Sequence, residues 1–179
     1  MRSTSSVGNM VASVSQTEER AMTDHRERNM ATTRRWFTDG WLGDLTLADE
    51  TFSDTFATNG IVVGRAGPIR NIENRLAGFP DLTTEIEALL AVDDTVVIRV
   101  RWTATHTGTY SGVAPTGKHV DVRVISMWRF LDRKAEENWT IQDQFGLLQQ
   151  VGIISNDIGG AQVPAPRPPA TTEKERSWT

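Results

Sequence analysis

The sequence predicts an α+β domain, and three observations carry the prediction. Apolar residues recur at helical spacing through the first part of the chain, between Thr23 and Leu76. Between Thr83 and Gln144 they recur at period two, as in strands with one face turned inward. The two patterns follow one another and do not interleave, so the strands are expected to pair antiparallel, with the helices on one side of the sheet. A chain of 179 residues accommodates one such domain with loose ends. Residues 1–21, rich in Ser, Thr and Gly, read as a disordered N-terminal tail. Residues 157–179, which include Val163-Pro164-Ala165-Pro166-Arg167-Pro168-Pro169, read as a disordered Pro-rich C-terminal tail. The folded domain is expected over residues 22–156.

The first helix is predicted from Thr23 to Leu42, capped by Thr23 or Asp24. Met30, Thr33 or Arg34, and Phe37 form its apolar stripe, with Trp36 and Trp41 beside it. Each of these tryptophans either lines a ligand pocket or packs in the core. After turns at Asp39-Gly40 and Gly43-Asp44, Leu45–Phe56 reads as a short second helix with Leu47, Phe52 and Phe56 inward. A loop containing Gly60, Gly64 and Gly67 leads to Pro68, well suited to open a third helix that runs to Leu76.

Gly78-Phe79-Pro80-Asp81-Leu82 is a turn, after which strands begin. Thr84, Ile86, Ala88 and Leu90 interleave with Glu85 and Glu87, and Asp93-Asp94 turns the chain back. In Thr95–Thr107, Val96, Ile98, Val100, Trp102, Ala104 and His106 share one face. Gly108–Gly117 is a loop by composition, Lys118–Leu131 a further long strand, and Asp132–Lys134 a turn. In the last strand Trp139, Ile141 and Asp143 alternate with Thr140, Gln142 and Gln144, which predicts that Asp143 faces inward with an indole and an isoleucine. A carboxylate buried among apolar groups becomes a stronger base, so Asp143 is a candidate catalytic residue. The competing reading is an Asp at a strand end bonded to a backbone amide.

Composition excludes several classes. Lys and Arg number 19 against 23 Asp and Glu, for a net charge of −4 without a basic block, which argues against a nucleic-acid surface. With no cysteine there is no thiol nucleophile and no thiolate metal site, and His25, His106 and His119 are too scattered for a metal site by spacing. No apolar run approaches the roughly 20 residues that cross a bilayer. The N-terminus lacks the apolar core of a secretory signal, so a cytoplasmic location is expected.

Four phrases recur in a known order: Gly78-Phe79-Pro80-Asp81-Leu82, Thr105-His106-Thr107-Gly108, Gly112-Val113-Ala114-Pro115-Thr116-Gly117-Lys118, and Trp139-x3-Asp143-x3-Leu147-x2-Gln150-x-Gly152. Together they resemble the SnoaL-like polyketide cyclases of the nuclear-transport-factor-2-like superfamily, over nearly all of Thr23–Ile153. The resemblance implies a cone-shaped, strongly curved sheet whose concave face, closed by three N-terminal helices, forms an apolar pocket. It further implies a homodimer through the sheet, a polyketide-like small-molecule substrate, no metal and no cofactor, and a place in secondary metabolism such as antibiotic biosynthesis. The cyclases close a ring by an intramolecular aldol reaction, in which an Asp–His pair does the proton work. Aligned through Arg129 and Gln150-x-Gly152, those two roles fall at Thr140 and Ser126, neither of which is a base at neutral pH. The remaining acid–base candidates are Asp143, with His106 or His119 as helper. Trp36, Phe56, Trp102, Trp128 and Trp139 are the expected pocket walls. Arg99, Arg101 and Arg123 either offset an enolate or form a solvated face or subunit contact. The implied activity is aldol cyclase or isomerase chemistry on an aromatic or polycyclic metabolite; the alternatives are hydroxylation, hydrolysis, or ligand or partner binding without turnover.

Overall fold

The computed structural model describes residues 5–155, 157–158 and 161–162, with side chains from residue 16 to residue 155. Helix α1 (Ser5–Thr38) buries Thr33, Trp36 and Phe37 of the predicted stripe together with Asn29, while Met30 is half-buried and Arg34 is exposed. The helix begins inside the segment expected to be a tail, and Gln16–His25 are exposed. The Pro-rich run of the predicted C-terminal tail lies outside the described residues; Asp157–Ile158 pairs with Ala161–Gln162 in a short hairpin. Two 3-10 turns, Gly40–Leu42 and Leu45–Leu47, and a single helical turn, α2 (Ala48–Thr51), follow α1.

The predicted second helix is corrected here. Its second half is a strand, β1 (Phe52–Thr58), which hydrogen-bonds to the short β2 (Ile61–Val62). Phe52 and Phe56 are both buried as expected, because a spacing of four returns to the same face of a helix and of a strand alike. The period therefore could not tell the two apart. Helix α3 (Ala66–Gly78) brings Ile72, Arg75 and Gly78 against the interior.

Strands β3 (Thr83–Val92), β4 (Thr95–Thr105), β5 (His119–Leu131) and β6 (Lys134–Gln142) form the predicted antiparallel meander. Strand β1 joins β6 in parallel, so the sheet is mixed and open, in the order β2-β1-β6-β5-β4-β3. The inner faces of β4 and β5 carry Val96, Ile98, Val100, Trp102, Ala104, Val120, Val122, Val124, Trp128 and Phe130, all buried. Asp132 and Arg133 both take positive φ in the tight turn between β5 and β6, the conformation a two-residue hairpin needs. The last helix, α4 (Gln144–Gln150), ends on Gln150, whose side-chain amide accepts from the Asp121 N–H at 2.6 Å and donates to the Asp121 carbonyl at 3.0 Å. It thus stands in for a neighbouring strand beside β5.

The last strand turns over relative to expectation. Arg129 faces Glu137 and Phe130 faces Ala135, so one extra residue, Glu136, is inserted in β6. A one-residue bulge exchanges the two faces of everything beyond it. Ala135 is buried, but past the bulge it is Asn138, Thr140 and Gln142 that face inward. Trp139 is 52 % exposed and Ile141 is 79 % exposed on the outer face.

Candidate functional site

Between α1, α3 and the concave side of the sheet lies a cavity of about 470 Å³. Trp36 and Phe37 reach it from α1, Trp41 from the first 3-10 turn, Phe52 from β1, and Val124 and Trp128 from β5. These aromatic walls support one another. Trp36 and Phe52 meet edge to face at 4.7 Å between ring centroids, and Trp128 lies 5.6 Å from Phe37 and 5.3 Å from Phe52. Ser126 Oγ accepts the Trp128 indole N–H at 2.7 Å, which fixes the ring's orientation. The polar part of the wall comes from Asn71 and Arg75 of α3, Tyr110 of the long loop, and Asn138, Thr140 and Gln142 of β6.

Arg75 is the buried charged group at this wall, 6 % exposed. Its guanidinium stacks on Trp41 at 3.9 Å and lies 5.7 Å from the Trp102 ring. Nη2 donates to Asn71 at 3.1 Å and, more weakly, towards Gln142 at 3.4 Å. Nε and Nη1 have no protein partner. Burial pushes the guanidinium down to about 10, an effect partly offset by Tyr110, so it stays charged at neutral pH. Among the described residues no Asp, Glu or His lines the cavity.

The sequence-derived candidates divide sharply. Trp36 and Trp128 line the cavity. Phe56 and Trp102 are fully buried one layer behind, Phe56 against Phe52 at 4.6 Å and Trp102 against Phe79 at 5.2 Å. Trp139 is on the outer face, away from the cavity, as the bulge requires. Asp143 is exposed and caps α4, accepting the Gly146 N–H at 2.8 Å. Its geometry is that of a strand-end Asp on a backbone amide, and the expectation of an inward carboxylate is corrected. His106 is buried beside Phe79, with Nδ1 3.1 Å from Thr116 Oγ1, and is not part of the cavity wall. His119 is exposed at the start of β5. The structure therefore does not bring Asp143, His106 and His119 together at the cavity. Arg99, Arg101 and Arg123 lie on the outer face, ion-paired with Glu87, Glu85 and Asp121, and none of them lines the cavity. The Arg101 guanidinium holds the Asp121 carboxyl below the usual carboxylate range.

Thr140 lines the cavity and Ser126 is fully buried; the two are direct partners across β5 and β6. Sequence reasoning missed Arg75, Asn71, Tyr110 and Asn138. A signal existed for Arg75, which falls three residues after Ile72 on the buried stripe of α3, where a charge is out of place. Among the described residues no group of His, Asp or Glu is arranged to hold a metal ion, and no helix is long and apolar enough to cross a membrane.

A model of the SnoaL-like polyketide cyclase family matches residues 31–151. A provisionally assigned SnoaL-like polyketide cyclase from Jannaschia sp. CCS1 superposes with a TM-score of 0.64 at 26% identity, over 70% of this chain and 92% of that one. AclR of Streptomyces galilaeus, provisionally assigned as a hydroxylase, superposes with a TM-score of 0.61 at 28% identity, over 75% of this chain and 84% of its own. IdmH of Streptomyces antibioticus, provisionally assigned as a polyketide cyclase, gives 0.61 at 25% identity, over 69% and 98%. No curated protein is a match for the chain.

Proposed function

Because the chain belongs to the SnoaL-like polyketide cyclase family, we propose that it acts on an aromatic or polycyclic polyketide-like molecule held in this cavity. The observation that carries the reading is the cavity itself: flat indole and phenyl walls on one side, a band of amides and hydroxyls on the other. Such a lining suits an oxygenated fused-ring compound, with its faces on the aromatics and its carbonyls and hydroxyls on the polar band. The chemistry the lining supports best is ring closure by enolate stabilisation. A carbon between two carbonyls loses its proton to water, the enolate carbon bonds to a second carbonyl, and the resulting alkoxide takes a proton back. Tyr110, Thr140 and the amides of Asn71 and Gln142 are the donors for the developing oxyanion. Asp143 has no part in this reading, since it is committed to the α4 cap. Lacking a carboxylate or imidazole at its wall, the cavity also favours a second reading, ligand binding without turnover. We further propose that two copies associate through the outer face of the sheet, where Ile125, Met127, Trp139 and Ile141 are exposed.

An anthraquinone bearing a β-diketone side chain tests both readings. Aldol closure leaves its mass unchanged and alters its absorption, so chromatography of the reaction follows it directly. The expected result is acceleration over buffer by the wild-type chain. Binding without acceleration would select the second reading. No binding at all would remove both. Asp143→Asn is expected to turn over at the wild-type rate, because Asn caps helices as well as Asp. Asp143→Ala is expected to lose about 1 kcal/mol of stability with the cap, again at unchanged rate. A selective rate loss in Asp143→Asn with stability intact would return Asp143 to the mechanism.

A further inference from the structure

We propose that Arg75 makes this cavity a site for an anionic ligand, a flat aromatic molecule whose negatively charged oxygen, on a carboxylate or an ionised phenol or enol, rests against the buried guanidinium. The proposal deepens the small-molecule reading above and depends on it.

Three observations converge. The first is an uncompensated charge: Arg75 is buried and charged, and among the described residues no carboxylate pairs with it. A buried cation is ordinarily paired, because burying it alone costs far more than burying a neutral group. Here the protein supplies amides and an indole face, which orient a guanidinium without neutralising it. Asn71 and Gln142, the side chains that hold Nη2, line the same cavity, so the charge is held at the wall where a ligand would lie.

The second observation concerns the surroundings. Arg70, five residues earlier on α3, also lines the cavity and is exposed. Arg70 and Arg75 are thus the charged residues of the lining, both positive, in a chain whose net charge is −4. A concave site with charge of one sign and low-dielectric walls concentrates field and draws in ligands of the opposite sign. The third observation is geometric. The guanidinium is held over the Trp41 ring, 3.9 Å from its centroid, and Trp36 and Trp128 line the same cavity, so a ring lying against those walls can carry an oxygen to an arginine already fixed in place.

The test uses three probes of one shape on the full-length chain at neutral pH: an anthraquinone carboxylate, its uncharged carboxamide, and a hydroxyanthraquinone. Binding is read from quenching of Trp36, Trp41 and Trp128, which line the cavity. The expected result is that the carboxylate binds more tightly than the carboxamide by about tenfold or more, and that Arg75→Met removes the preference while still binding the carboxamide. If the relevant group is an ionised phenol or enol, the carboxylate shows no such advantage. The hydroxyanthraquinone, whose anion absorbs at longer wavelength, then ionises at lower pH when bound, and Arg75→Met abolishes that shift. Equal affinity for carboxylate and carboxamide together with an unshifted phenol overturns the proposal and leaves the small-molecule reading standing. Failure of all three probes to bind overturns both. If Arg75→Met does not fold, judged by circular dichroism, the comparison of probes on the wild-type chain and on Arg75→Lys decides. A preference lost in Arg70→Gln but kept in Arg75→Met would move the site to the rim and overturn the assignment to Arg75.

Discussion

Trp128→Ala is expected to destabilise the protein by about 3–5 kcal/mol, the usual cost of removing a fully buried tryptophan from a packed core. For a chain of this size the melting temperature should fall by on the order of 10 °C or more. The size of the effect follows from position. The Trp128 ring packs against Phe37, Phe52, Phe56 and Phe130, with centroids between 5.3 and 6.3 Å, so it joins α1, β1 and β5 in one cluster. Its indole N–H donates to Ser126 Oγ, so truncation also removes a hydrogen bond from a site that water cannot reach. Trp128→Phe fills most of the space and should cost much less, losing chiefly that hydrogen bond. Trp139→Ala is the control, because half of that side chain is already exposed and its removal from a monomer should change stability by less than about 1 kcal/mol. Thermal and urea denaturation of the three variants would check the ranking. Trp128→Ala within about 1 kcal/mol of wild type would mean that the aromatic cluster does not hold α1 to the sheet.

The same arrangement bears on an attempt to restore the cyclases' Asp–His pair. Thr140→Asp is sterically open, since Thr140 faces the cavity. Ser126→His is not: the site is fully buried, and Ser126 already accepts from Trp128 and, at 3.4 Å, from Asn138. An imidazole there would displace the wall that shapes the cavity.

How much of this was legible in the sequence depends on what each pattern leaves ambiguous. The long strands were legible because period two over eleven or thirteen residues has no helical alias: Val96 through His106 are buried on one face as read. Phe52-x3-Phe56 was not, because four residues return to the same side in either structure. The site failed for one physical reason above all. An extra residue at Glu136 reverses the faces of β6, so the apolar Trp139 and Ile141 go outward and the polar Asn138, Thr140 and Gln142 go inward. Hydrophobicity pointed to the opposite choice, and a bulge leaves no mark in an alternation that is otherwise regular on both sides of it. Asp143 followed the same error. The buried arginine was in view as a charge on the apolar stripe of α3, but only the fold reveals that Asn71, Gln142 and Trp41 hold it at a cavity.

What the reversed face does expose leads to the second large effect. Ile125 stands opposite Ile141 and Met127 opposite Trp139, so four apolar side chains form a block on the outer face of β5 and β6. All four are exposed, Ile141 at 79 %. Around them run charges already satisfied within the chain: Arg99 and Arg123 on Glu87, Arg101 on Asp121, and Arg129 on Glu137. An apolar block rimmed by internally paired charges is the composition of a protein interface, and on a sheet face a two-fold axis can set the block against its own copy. On the proposed dimer, Trp139→Glu with Ile141→Lys is expected to raise the dimer dissociation constant by about 10³ or more, since each substitution enters a two-fold interface twice and leaves buried charge imperfectly paired. Sedimentation velocity across a dilution series measures this directly. The variant should sediment as a folded monomer with an unchanged far-ultraviolet spectrum. Probe binding should persist in it, because every residue lining the cavity comes from the inner face or from the helices and loops above it, away from the altered block. Wild-type chain that sediments as a monomer at all concentrations would sink the dimer through this face. A variant that remains dimeric would place the contact elsewhere and leave the apolar block on the outer face to be explained by a different partner.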